Sequence, residues 1–276
     1  MKRRVFFVSD RTGLTAEALG NSLLTQFEDF TFERLTLPFI DTPEKAQKAV
    51  QQINTATAED GLQAIVFATL IDTTVRDILN QSQAMLMDFF NTFIEPLEVE
   101  LKAHSSHKVG RLHGLEASTD TASAYKNRMD AINFTLNSDD GIGLQNYNQS
   151  DIILVGVSRC GKTPTCIYMA MQYGLFAANY PFTIEDMDKG TLPKELLANK
   201  NKIYGLTIDA ERLQAIRSER RANSKYAALN QCRAEITELE NIFCREKIPY
   251  LNTSSLSIEE ISATILAQMG LKRRDF

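Results

Sequence analysis

Asp151-Ile152-Ile153-Leu154-Val155-Gly156-Val157-Ser158-Arg159-Cys160-Gly161-Lys162-Thr163-Pro164 is the stretch that decides the fold. Its first part, a continuous run of bulky apolar residues, reads as a strand buried on both faces, as in a parallel sheet. From Gly156 to Thr163 it fits G-x-x-x-x-G-K-[ST] at every fixed position. Glycines at both ends let the backbone curl so that successive N–H groups turn inward around a phosphate, and the following helix adds the positive end of its dipole. The nucleotide-binding residues in this reading are Gly156, Val157, Ser158, Arg159, Cys160, Gly161, Lys162 and Thr163. Lys162 reaches the terminal phosphates and acts in catalysis, and Thr163 offers a hydroxyl to Mg²⁺. Pro164 falls in the first helical turn, where no N–H is missed, and Ile167, Met171 and Leu175 form the expected inward stripe of that helix.

Outward from this loop the pattern is α/β. Toward the N-terminus, Val5–Val8, Leu35–Ile40 and Ala64–Ala68 are strand-like runs. They alternate with stretches of helical period: Ala16, Leu19, Leu23 and Phe27; then Ala46, Val50 and Ile53 behind a Thr42 cap and Pro43; then Val75, Ile78 and Leu79. Strands alternating with helices imply crossover connections and a mainly parallel sheet. Between Ala103 and Ser150 the apolar density drops, with one helix expected near Ala124–Phe134 and a turn at Asp139-Asp140-Gly141. The expected organisation is therefore an N-terminal parallel-sheet α/β domain over 1–105, a connecting segment over 106–150, and a P-loop kinase-like α/β domain over 151–276. Stripes at Leu229, Cys232, Ile236, Leu239 and Phe243, and at Ile258, Ile261, Ile265 and Met269 behind a Ser257/Glu260 capping box, complete the second domain.

Composition narrows the class. The chain has 276 residues, 43% of them hydrophobic and 24% charged, enough for a sizeable core in one large or two medium domains. No apolar run approaches the roughly 18 residues of a membrane span, and the basic start at Lys2-Arg3-Arg4 gives way to Ser9-Asp10 after four apolar residues, which reads as a first strand rather than a leader. Four cysteines without a C-x-x-C pair suit a reducing cytoplasm better than a disulfide scaffold or a structural zinc. A formal net charge of −5 argues against nucleic acid as a partner. Residues 1–150 hold 13 Lys+Arg and 20 Asp+Glu, whereas 151–276 hold 17 and 15, so an anionic ligand should favour the second half.

Phosphoryl chemistry also needs a carboxylate and further cations. Asp209, at the end of the strand-like run Lys202–Ile208, is either a catalytic or metal-side carboxylate or the cap of the helix carrying Leu213 and Ile216. Glu185, Asp186 and Asp188 are loop rivals. Arg217, Arg220 and Arg221 share a helical face, and form either a clamp on bound phosphate or a solvated face paired with Glu211 and Glu219. Asp10, Thr12 and Gly13, at the carboxyl end of the first strand, are a second candidate phosphate site or simply a strand-to-helix turn. His104, His107 and His113 lack acidic or cysteine partners in register, and Cys160 is either a redox-sensitive thiol or a small packing residue.

These residues carry a resemblance. Ser9–Glu17, Arg111–Leu115, Asp139–Gly141, Gly156–Pro164, Ala178–Pro181, Gly205–Asp209 and Asn223–Ala227 stand in the order found in the bacterial phosphoenolpyruvate synthase (pyruvate, water dikinase) regulatory proteins, which the chain resembles nearly end to end. Gly161 separates it from the sister proteins acting on pyruvate, phosphate dikinase, which usually lack the second loop glycine. Arg11 departs from the glycine common there. The resemblance implies a bifunctional serine/threonine kinase and phosphorylase. ADP donates its β-phosphoryl group to a threonine of the synthase, inactivating it and releasing AMP; inorganic phosphate then removes that group as pyrophosphate. ADP, phosphate and Mg²⁺ are the implied small-molecule partners, the synthase is the implied protein partner, the cytoplasm is the implied location, and a homodimer is left open. Two other readings fit the loop alone: a P-loop kinase of a small metabolite, and a non-catalytic nucleotide sensor.

Overall fold

The computed structural model describes residues 2–105, 121–221, 224–272 and 274, in two compact units that divide the chain at 114/115. The α/β expectation holds: each unit is built on a four-stranded, all-parallel sheet.

In the first unit, β1 (Lys2–Ser9), α1 (Leu14–Leu24), β2 (Thr31–Leu37), α2 (Pro43–Asp60), β3 (Ile65–Thr69), α3 (Thr73–Leu79), β4 (Met85–Asp88) and α4 (Phe89–Leu101) follow one another, and the strand order is β2-β1-β3-β4. Side chains alternate across β1. Phe6 and Val8 pack with Val66, Ala68, Ile53 and Leu79 on one face, while Val5 and Phe7 pack with Ala16, Leu24, Phe67 and Phe89 on the other. Burial on both faces is why Val5–Val8 reads as an unbroken apolar run. Thr42 caps α2 as expected, its side chain accepting from the Lys45 N–H, with Pro43 at the first helical position.

The stripe expected on α1 is displaced. Leu19, Leu23 and Phe27 are exposed, and the buried positions are Ala16, Gly20 and Leu24. The reason is close approach: a β-carbon on Gly20 would stand 2.5 Å from Phe7 and 2.7 Å from Phe67, so the helix rides on the phenyl rings where only hydrogen fits.

The second unit runs α5 (Thr121–Asn137), β5 (Ile152–Gly156), α6 (Lys162–Tyr173), β6 (Ala177–Pro181), α7 (Ile184–Lys189), α8 (Lys194–Leu197), β7 (Ile203–Thr207), α9 (Ala210–Arg220), α10 (Leu229–Glu246), β8 (Tyr250–Asn252) and α11 (Ile258–Met269), with strand order β6-β5-β7-β8. The 106–150 stretch expected as a connection thus divides differently. Residues 121–150 group with the second unit, and Ala131 of α5 and Tyr147 beyond it are fully buried there. Low apolar density misleads in this stretch because polar Thr135 and Ser138 are buried alongside them. On α6, Met171 is exposed; Thr165, Cys166, Met169 and Ala170 face inward. The Ser257/Glu260 capping box opens α11 as expected.

The two sheets share one strand order, although the sequence shows no repeat. In both, the first strand is central and runs into a helix whose N-cap is a left-handed glycine: Gly13 at φ 85° and Gly161 at φ 93°. The connection from that strand runs to one side of the sheet and the connection from its neighbour, β3 or β7, to the other, which opens a crevice between their carboxyl ends. No helix among the described residues is long and apolar enough to cross a membrane.

Gly20→Ala tests the close approach in α1. In an exposed helix the change would stabilise by about 1 kcal/mol; here overpacking against Phe7 and Phe67 should instead cost about 1–3 kcal/mol, read as a lower urea midpoint.

Candidate functional site

The Gly156–Thr163 loop lies at the carboxyl end of β5, at the crevice of the second sheet. Two glycines shape it for different reasons. A β-carbon on Gly156 would collide with the Leu206 carbonyl on β7 and stand 2.6 Å from the Cys160 sulfur, so the loop can leave the strand only at glycine. Gly161 meets nothing nearby, but its φ of 93° is a conformation that L side chains rarely adopt. Arg159 also takes a positive φ, 79°, without being glycine. The loop is fixed from the β8 side by the Thr253 hydroxyl, which donates to the Cys160 carbonyl at 3.1 Å.

Beside the loop opens a cleft of about 290 Å³, lined by Asp140, Ser158, Arg159, Lys162, Thr163 and Arg220, with Gly161, Pro164 and Ile216 completing the wall. Three cations against one carboxylate favour an anion there. Lys162 is 4% exposed, and its ammonium donates to the Val157 carbonyl across the loop at 2.9 Å.

The carboxylate partner of the loop comes from the turn before β5. Thr163 Oγ1 donates to Asp139 Oδ1 at 2.8 Å. Asn179, fully buried on β6, holds that turn with every polar group it has. Its Nδ2 donates to Asp139 Oδ1 and its Oδ1 accepts from the Asp140 N–H at 3.0 Å. Its backbone N–H donates to Ser138, and its carbonyl accepts from the Gly141 N–H and from the Tyr147 hydroxyl. Asp139 and Asp140 were visible in the sequence only as a turn and as part of the resemblance. The signal that could have assigned them is the buried asparagine in Ala178-Asn179-Tyr180-Pro181.

The other sequence candidates separate. Arg220 lines the cleft. Arg221 is exposed at the end of α9 and is not among the cleft residues. Arg217 is 1% exposed and paired with Glu235 at 2.7 Å, so its charge is met inside the unit rather than offered as a phosphate clamp. Asp209 makes no side-chain cap bond to α9; its carboxylate accepts from Asn252 Nδ2 at 2.7 Å, its N–H donates to Ser254, and it is not among the cleft residues. Asp186 closes a capping box with Thr183 and accepts from the Tyr180 hydroxyl. Asp10, Thr12 and Gly13 belong to the first unit. There the Asp10 carboxylate is buried, accepts from the Ile71 N–H, and has its pKa raised by that burial. His104 is exposed; His107, His113 and the Arg111–Leu115 segment lie outside the described residues.

Burial raises the Cys160 thiol, outweighing the pull of the nearby Lys162 charge, and burial likewise raises the Cys166 thiol. The thiolate is disfavoured, which assigns Cys160 to packing beneath the loop. No group of three or more His, Cys, Asp or Glu among the described residues could hold a metal by itself. The oxygen pair of Thr163 and Asp139 nevertheless suits Mg²⁺, which takes only one or two protein oxygens when phosphates and waters supply the rest.

The parallel sheet, the loop at its crevice and the oxygen donors around it belong to a phosphotransferase-type enzyme. The chain belongs to the Kinase/pyrophosphorylase family, whose model matches residues 5–266. Similar proteins from Stutzerimonas stutzeri (strain A1501) and Legionella pneumophila (strain Corby) are each 53% identical over 274 residues, and one from Pseudomonas fluorescens (strain Pf-5) is 52% identical. The alignments cover 99% of this chain and 99–100% of theirs, and all three carry, provisionally, the name phosphoenolpyruvate synthase regulatory protein.

Alkylation reads the cysteine environments. With iodoacetamide at pH 8, exposed Cys244 should be modified first, and buried Cys160 and Cys166 only on unfolding, as followed by peptide mass spectrometry.

Proposed function

We propose that the chain regulates phosphoenolpyruvate synthase by phosphorylating a threonine of that enzyme with ADP and by removing the group with inorganic phosphate. The observation that carries the reading is the cleft at Gly156–Thr163, where a buried lysine and a threonine paired to an aspartate line a loop of the phosphate-binding type. The names of the full-length relatives support the target, and the family description supports a kinase joined to a pyrophosphorylase. The donor and the threonine rest on the resemblance.

In the forward direction the loop N–H groups and Lys162 hold the diphosphate of ADP so that its β-phosphorus faces the open side of the cleft. Lys162 exchanges its bond to the Val157 carbonyl for phosphate oxygens, where its charge counters that developing in a loose transition state. The threonine oxygen bonds to the β-phosphorus as the bridge to the α-phosphate breaks, and AMP leaves with that bridging oxygen. The proton of the threonine passes to Asp140, the carboxylate lining the cleft. Thr163 and Asp139 would hold Mg²⁺, which would neutralise charge on the diphosphate oxygens. In the reverse direction a phosphate oxygen attacks the phosphorus of phosphothreonine, the bond to the threonine oxygen breaks, Asp140 returns the proton, and pyrophosphate leaves. Arg220 contributes positive charge to the phosphate in both directions.

The test is incubation with phosphoenolpyruvate synthase and [β-³²P]ADP, followed by mass spectrometry of the synthase. Label on a threonine with release of AMP is expected. Lys162→Ala and Asp139→Asn should each lower transfer by about 10²–10³-fold, the usual cost of one charge-stabilising group. ATP-dependent turnover of a small molecule without the synthase, or tight ADP binding with no AMP release in its presence, would contradict the proposal.

A further inference from the structure

Arg217 lies on α9 one turn beyond buried Leu213 and is turned away from solvent. Its Nη2 donates to Glu235 Oε2 at 2.7 Å and to the Ser158 carbonyl at 3.3 Å, while its Nη1 donates to the Tyr226 carbonyl at 3.1 Å. Gln231 steadies the other oxygen of Glu235 at 2.9 Å. The guanidinium sits over the Tyr226 ring, 4.1 Å from its centroid, and the Tyr226 hydroxyl donates to Ser158 Oγ at 3.0 Å. Ser158 is thus gripped at both its carbonyl and its hydroxyl. A buried cation is tolerable in this place because Glu235 neutralises it.

The grip has a directional consequence. In a planar trans peptide the C=O and the following N–H point to opposite sides. With the Ser158 carbonyl fixed on Arg217, the Arg159 N–H is turned away from that guanidinium, and Ser158 and Arg159 are both cleft residues. Arg159 holds a positive φ that non-glycine residues avoid, so this segment has a standing tendency to relax out of shape.

We propose that Arg217 and Tyr226 are positioning residues that lock the Ser158–Arg159 peptide with its N–H presented to the nucleotide's phosphates. The proposal rests on the nucleotide reading of the loop, and assigns these two residues to setting it rather than to touching the anion.

Calorimetric titration of wild type, Tyr226→Phe and Arg217→Lys with ADP, AMP and pyrophosphate tests it, alongside thermal melting. Tyr226→Phe keeps the ring over the guanidinium and removes one hydrogen bond, so ADP and pyrophosphate should bind about five- to tenfold more weakly. The preference for ADP over AMP should fall by a similar factor, with a melting temperature within about 2 °C of wild type. Arg217→Lys cannot reach Ser158, Tyr226 and Glu235 together and should lose more than the tyrosine variant. Should the arginine variant fail to fold, the tyrosine variant alone decides. If wild type binds ADP and Tyr226→Phe binds it equally well, the lock is wrong while the nucleotide site stands. If wild type binds neither ADP nor pyrophosphate, the site reading falls and the lock with it.

Discussion

The bend at the end of β5 is the constraint from which the site follows. The chain must leave a fully buried strand, pass under the Leu206 carbonyl and against the Cys160 sulfur, and re-enter a helix through a left-handed residue. Gly156 and Gly161 permit the two ends of that path. Between them, Thr253 fixes the Cys160 carbonyl, and Arg217 and Tyr226 fix Ser158. A loop bound this closely to its surroundings has its donors set in place, so the proposed binding of a phosphate there would need little reorganisation.

Charge is divided between the cleft and the interior. Lys162, Arg159 and Arg220 line the cleft, while Arg217, one helical turn before Arg220, is paired with Glu235. The carboxylate side is equally built. Asp139 is held toward Thr163 by Asn179 on β6, which binds the Ser138–Gly141 turn through four hydrogen bonds and the Tyr147 hydroxyl through a fifth. The first unit repeats the strand order and the glycine-capped helix, but puts a buried carboxylate, Asp10, in the corresponding turn and Leu14 directly after the glycine where Lys162 stands. The same topology therefore carries different chemistry in the two units.

Much of this was legible because it is local. The loop occupies eight consecutive residues, and its glycines, lysine and threonine announce themselves; so do β1 and β5, whose unbroken apolar runs reflect burial on both faces. What escaped depends on contacts distant in sequence. A cationic helix face looks the same whether it meets a phosphate or a glutamate 18 residues on, which is why local sequence leaves Arg217 open between a clamp and an ion-paired face. Asp139 needed Asn179, 40 residues away, to become a partner of Thr163. The α1 stripe was misplaced because a pattern of large apolar residues gives no weight to Gly20, where the absence of a side chain makes the contact.

A crystal structure of the chain with ADP would show whether the Gly156–Thr163 backbone grips the diphosphate of a nucleotide, as proposed. The β-phosphate is expected within hydrogen-bond distance of the loop N–H groups and of Lys162, whose ammonium will have left the Val157 carbonyl. ADP bound at another place, with Lys162 still donating to Val157, would contradict it.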